Sequence, residues 1–115
     1  MDPFIYLEFI RQIMATLPGT TAGSSYGTPG FHVQKKFLAR LWENGEVLVV
    51  RVEDRDKWIE KDPDVFFITD HYQDYSAVLV NLPKVDPADL KELIIEGWTG
   101  RASKSLINEY NSRLH

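Results

Sequence analysis

The residues best suited to chemistry lie in one short run, Asp70-His71-Tyr72-Gln73-Asp74-Tyr75. A histidine flanked by carboxylates can act as a general base when one of them orients its ring. Neighbours on a loop need not face one another, however, and no nucleophile motif accompanies the run. A metal site asks for more ligands than His71 and one carboxylate supply. His32 sits in the apolar run Phe31-His32-Val33, where it reads as a cross-strand neighbour, and His115 is terminal. With no cysteine in 115 residues, thiolate ligands, disulfides and a cysteine nucleophile are excluded. The glycines between Gly19 and Gly30 follow neither the P-loop nor the dinucleotide-binding order, and Ser24 and Ser25 lack the strand–serine–helix setting of a hydrolase elbow. The expectation is therefore a non-enzymatic chain with no catalytic residue, metal or cofactor. Tyr26, His71 and Tyr72 are the candidate lining of a ligand pocket.

A second chemistry is phosphate contact. Lys35 and Lys36 stand at a turn, and Arg40 and Arg51 follow on strands. Four such contacts correspond to a salt slope of about −3.6, from about −0.9 per phosphate. The net charge of −4 opposes this, because an acidic domain has no long-range attraction for nucleic acid. DNA binding through Lys35, Lys36, Arg40 and Arg51 is the alternative reading, not the leading one.

The elements that must position these residues follow from periodicity. Asp2-Pro3 starts a helix, with Ile10, Ile13, Met14 and Leu17 at helical spacing, ending near Thr16. Gly19–Gly30, rich in Gly, Ser and Thr, reads as a loop. Five strands follow at residues 31–34, 37–42, 46–52, 65–69 and 76–82. A short helix carrying Trp58 and Ile59 starts at Asp54, between the third strand and the fourth. Asp86-Pro87 starts a helix with Leu90, Leu93, Ile94 and Trp98 on its apolar stripe. Thr99-Gly100 breaks or bends it, and Ser103 caps a last helix bearing Leu106, Ile107 and Tyr110. Asp86, Asp89, Glu92 and Glu96 make an acidic, solvated helix face. The order α-β-β-β-α-β-β-α(α) describes one domain over residues 1–115: an α+β, two-layer sandwich with a largely antiparallel five-stranded sheet.

Asn44-Gly45 reads as a two-residue hairpin turn. It sets Trp42 against Val47, Leu41 against Leu48, Arg40 against Val49 and Ala39 against Val50. Strict alternation then places Phe37, Ala39, Leu41, Leu48, Val50 and Val52 on the face toward the helices. Leu38, Arg40, Trp42, Val47, Val49 and Arg51 share the open face. That face is half apolar, and the later strands are apolar at nearly every position. Continuous apolar runs mark strands covered on both faces. The cover is expected from Gly19–Gly30, from the last helix or, as the favoured reading, from another chain.

Residues 25–33 (Ser-Tyr-Gly-Thr-Pro-Gly-Phe-His-Val) and 36–41 (Lys-Phe-Leu-Ala-Arg-Leu) resemble the first signature of the MmcQ/YjbR family. Residues 64–72 and 78–82 resemble the second, and residues 85–93 the third, with Trp98 where a family aromatic is expected. The resemblance implies a fold similar to type III secretion chaperones, a double-wing DNA-binding label and no established reaction. Three positions depart from the family pattern. No glycine stands at Gln34-Lys35, Asp70 replaces a proline, and Ser103 stands where a proline is usual.

The leading expectation is a protein-interaction domain acting through Leu38, Arg40, Trp42, Val47, Val49 and Arg51, its partner a protein or a second copy in a homodimer. A small-molecule binder or enzyme at His71-Tyr72 is the third reading. No apolar run approaches the roughly 20 residues of a membrane span and no secretory signal stands out, so the expected location is cytoplasmic, with no membrane partner.

Overall fold

In the computed structural model, residues 5–25 and 27–114 are described; the expected helix start at Asp2-Pro3 lies outside them. The described residues form four α-helices and one six-stranded sheet. Helix α1 covers Ile5–Met14 and buries Leu7, Ile10, Ile13 and Met14, the i, i+3 stripe of an amphipathic helix. Strands β1 (Thr20–Ser25), β2 (Thr28–Val33), β3 (Lys36–Leu41) and β4 (Val47–Arg51) follow. Then come α2 (Arg55–Lys61), β5 (Phe66–Phe67), a 3₁₀ turn (Asp70–Tyr72), β6 (Ala77–Asn81), α3 (Pro87–Arg101) and α4 (Lys104–Arg113). The spatial order is β1-β2-β3-β4-β6-β5, with every neighbour antiparallel.

The sheet has one strand more than the sequence suggests. The Gly19–Gly30 stretch is not a loop: β1 occupies half of it, β2 already begins at Thr28, and β1 pairs with β2 through six consecutive residues. Its side chains are Thr, Thr, Ala, Gly, Ser and Ser, so no apolar alternation announces it. Backbone pairing with β2 makes it a strand.

Two turns differ from expectation in an instructive way. The β3–β4 connection is a four-residue loop, Glu43 to Glu46, closed by Trp42 N–H donating to Val47 O at 2.9 Å, with Gly45 at φ 70°. A four-residue loop leaves the register of a two-residue one unchanged, and Ala39↔Val50, Arg40↔Val49 and Leu41↔Leu48 pair as expected. The two-residue turn with left-handed backbone is instead Gln34-Lys35, at φ 48° and 79°, joining β2 to β3. The resemblance places a glycine there, and the structure supplies the reason: that backbone suits a residue without Cβ.

Phe37 and Leu38 lie on the faces opposite to those that strict alternation assigns them. Phe31 pairs with Ala39 and His32 with Phe37, so Leu38 is an extra residue on β3, a β-bulge. Alternation fails there. Leu38 and Ala39 both enter the core beneath the helices, together with Leu41, Leu48, Val50 and Val52. Phe37 turns to the other face. The sequence-based placement of these two residues is therefore reversed.

Helix α3 closes the core. Leu90, Leu93, Ile94 and Trp98 are buried, and the Trp98 indole N–H donates to Pro18 O at 2.9 Å. Tyr110 of α4 packs on the Trp98 ring, 5.2 Å between centroids. Thr99-Gly100 does not break α3, which runs to Arg101. The acidic face of α3 is also not simply solvated. Asp89 pairs with Lys61 at 2.8 Å, and Glu96 pairs with Lys57 and accepts from the Trp58 indole at 3.4 Å. These bonds tie α2 to α3, and first of all they raise the Lys57 and Lys61 ammonium pKa values above the usual lysine range.

Candidate functional site

The open face of the sheet carries a second apolar cluster, made by Val47, Val49, Ala77 and Leu79 under Phe37, Trp42, Phe67 and Tyr72. Tyr72 brings the segment Asp70–Tyr75 onto this cluster, a cover that none of the sequence-based expectations named. The segment folds on itself through Tyr72 N–H to Thr69 O (2.9 Å) and Tyr75 N–H to Tyr72 O (3.1 Å). Arg55, at the start of α2, then holds it by three carbonyls. Its guanidinium donates to Tyr72 O (2.8 Å), Gln73 O (2.7 Å) and Tyr75 O. A planar guanidinium matches a curl of carbonyls with several donors at once. No motif announces this contact, because the partners lie 17 to 20 residues away in sequence.

Between this segment and strands β2, β3 and β4 runs a groove of about 630 Å³ lined by His32, Phe37, Arg40, Val49, His71, Tyr72 and Tyr75. Its rings meet edge to face. His32 and Phe37 are 6.0 Å apart at 81°, and His71 and Tyr72 are 5.0 Å apart at 87°. Tyr75, 58 % exposed, stands at the mouth, 5.9 Å from the Tyr72 ring. Arg40 enters from the sheet with its side chain 15 % exposed. It donates to Thr28 Oγ1 at 3.0 Å and lies 3.8 Å from the Glu43 carboxylate.

The structure thus gathers some of the sequence-predicted residues and separates others. His71 and Tyr72 line the groove, while Tyr26 lies outside the described residues. Arg40 and Val49 join them, the latter buried at its floor. Trp42 and Val47 belong to the same outer cluster, with Trp42 half-buried. Leu38 does not, being fully buried on the helix side. Phe37 takes the place in the groove that strict alternation denied it.

Arg51 diverges from Arg40. It pairs with Glu53 at 2.6 Å and lines a separate groove against Gly97, Thr99 and Gly100 of α3. Nearby, the Arg101 guanidinium donates to Phe37 O at 3.1 Å. Burial first, and the positive charge of Arg51 second, pull its pKa below the usual arginine range. Lys35 and Lys36 stay exposed at the β2–β3 turn. Both candidate arginines therefore have carboxylate partners, and only the turn lysines project freely to solvent.

His71 meets aromatic rings in the groove, those of Tyr72 and Tyr75, and among the described residues no hydrogen bond joins it to Asp70 or Asp74. Among the described residues, no three His, Asp or Glu side chains gather as a metal ion requires, and no helix is long and apolar enough to cross a membrane.

Three comparisons bear on this arrangement. The model of the family described as YjbR matches residues 15–99. Uncharacterized proteins of Mycobacterium tuberculosis (Rv2570) and Mycobacterium bovis (Mb2600) are each 39 % identical over 70 residues, covering 58 % of this chain. The chain spans about half the length of these curated relatives, 54 % of each. The crystal structure of Deinococcus radiodurans protein DR2400, with a DUF419 domain, superposes with a TM-score of 0.72 at 17 % identity, over 96 % of this chain and 91 % of that one. At that identity the likeness concerns the fold.

Proposed function

The chain belongs to the YjbR family, and from that premise we propose that it is a non-enzymatic binding domain whose site is the groove on the outer sheet face, taking a flat aromatic ligand with an anionic group. One observation carries the reading. Five rings and one guanidinium, from three separate segments of the chain, converge on a single groove. Its volume falls in the range of about 300 to 1,000 Å³ common for small-ligand sites. The rings offer stacking surface, and Arg40 offers a planar cation that pairs with a carboxylate or phosphate. Thr28 and Glu43 hold that guanidinium in place, so little side-chain freedom remains to be lost on binding.

A second reading, a protein partner, is favoured by the same face. Half-buried Trp42 and exposed Tyr75 belong to or adjoin its outer cluster, and aromatic residues of this kind anchor protein contacts. The groove then receives an aromatic or acidic side chain of that partner. The DNA reading draws less support, because Arg51 lines a separate groove and pairs with Glu53 there, and the net charge of −4 opposes nucleic acid.

The test is a titration of the ¹⁵N-labelled chain with aromatic carboxylates and nucleoside monophosphates. The expected result is amide shifts confined to His32, Phe37, Arg40, Val49 and residues 70–75, lost in Arg40→Gln. Shifts elsewhere on the chain, or binding indifferent to Arg40→Gln, would refute the reading.

A further inference from the structure

We propose that β1 is a dimerisation edge, at which the sheet continues into the sheet of a second copy of this chain. Edge strands present unpaired backbone groups, and proteins blunt them by shortness, charge, proline or bulges. The two edges of this sheet differ in this respect. β5 has two residues, Phe66–Phe67, too few to template a neighbour. β1 has six, with no charge, no proline and no irregularity in its register.

The direction of its free groups follows from the ladder. Gln34 N–H donates to Gly19 O at 3.1 Å, and this pair continues the Thr20↔Val33 register. Hydrogen-bonded pairs alternate along an antiparallel ladder. Thr21 and Gly23 therefore bond to β2, whereas Ala22 and Ser24 turn N–H and C=O away from it. Pro29 stands opposite Ser24, a position whose missing N–H costs the ladder nothing. Ala22 and Ser24 are exposed.

The occupant is a second copy because of what the strand lacks. A guest peptide is recognised through pockets for its alternate side chains; residues from Thr20 to Ser24 carry nothing larger than threonine, and the groove beside them is small and shallow. Self-pairing about a two-fold axis at Gly23 sets Ala22 against Ser24 of the second copy, with about four backbone hydrogen bonds. The paired strand residues themselves carry no charge, so none of them meets a like charge across the joint. A two-fold axis normal to the sheet also keeps both helix layers on one side. The shallow groove of about 200 Å³ beside β1, lined by Arg11, Met14, Ala15, Thr20, Ala22 and Phe31, then lies along the joint, where apolar contact can add to the strand pairing.

Sedimentation velocity of the wild-type chain between about 5 and 500 μM tests this. The expected result is a concentration-dependent dimer. Ala22→Pro, which removes an outward N–H and leaves the β1–β2 bonds intact, weakens it at least tenfold, and Ser24→Lys does the same through charge. Trp42→Glu, on the outer face, leaves the dimer unchanged. Circular dichroism keeps loss of dimer apart from loss of fold, and slowed amide exchange at Ala22 and Ser24 of the wild type locates the joint. A wild-type monomer throughout that range would overturn the proposal. So would a dimer indifferent to both β1 variants.

Discussion

Gly97→Ala is the sharpest test of how the helix layer sits on the sheet. A Cβ at Gly97 lies 2.5 Å from Arg51 O and 3.2 Å from both Leu38 Cδ1 and Val50 Cγ1. The two side chains can give by a few tenths of an ångström. The carbonyl cannot, because it belongs to β4 in the middle of the sheet. Helix and strand must therefore separate, which opens packing on either side of the contact. Overpacking of a close-packed core costs about 1–3 kcal/mol, and the backbone nature of this clash places it at the upper end. Against that, alanine is a better helix former than glycine by about 1 kcal/mol. The net expectation is a loss of about 2 kcal/mol. At roughly 4 °C per kcal/mol for a chain of this length, the melting temperature falls by about 8 °C. Gly100→Ala, one turn along the same helix with nothing within 4 Å of the added Cβ, experiences only the helix-propensity gain and rises by about 4 °C. Thermal melts followed by circular dichroism, with urea unfolding as a second measure, read both. If Gly97→Ala were as stable as the wild type, the close approach of α3 to β4, and with it the inward position of Leu38, would be wrong.

Two further perturbations probe the frame of the groove. Lys35→Gly relieves a left-handed residue at φ 79° and is expected to stabilise the domain by about 0.5–1 kcal/mol, the steric relief exceeding the entropy glycine adds to the unfolded chain; an unchanged or lowered urea midpoint would count against it. Arg55→Lys keeps the charge but gives up the planar fork that holds residues 72–75 by three carbonyls. Amide exchange from Gln73 to Tyr75 should quicken about tenfold, with a loss of about 1–2 kcal/mol in stability, and unaltered exchange would show that the segment holds itself in place.

Sequence periodicity alone determined the α+β class, the antiparallel pairing and the β3–β4 register, because those depend on local alternation and on loop parity, which a change of turn type did not disturb. It also singled out His71, Tyr72 and Arg40 by residue type. The sixth strand was illegible: Thr, Ser, Ala and Gly carry no apolar signal, and only the neighbouring β2 makes that segment extended. The exchange of Phe37 and Leu38 between faces was illegible for a different reason. A bulge is a property of two paired strands, so a single strand's alternation cannot reveal that one residue is supernumerary. The cover of the outer face was decided in the same way. Arg55 reaches residues 72–75 because α2 packs against β5 and β6, and no spacing rule links a helix's first residue to carbonyls 17 to 20 positions later. Local chemistry named the rings of the groove, and the long-range contacts of one arginine and one extra residue on β3 brought them together.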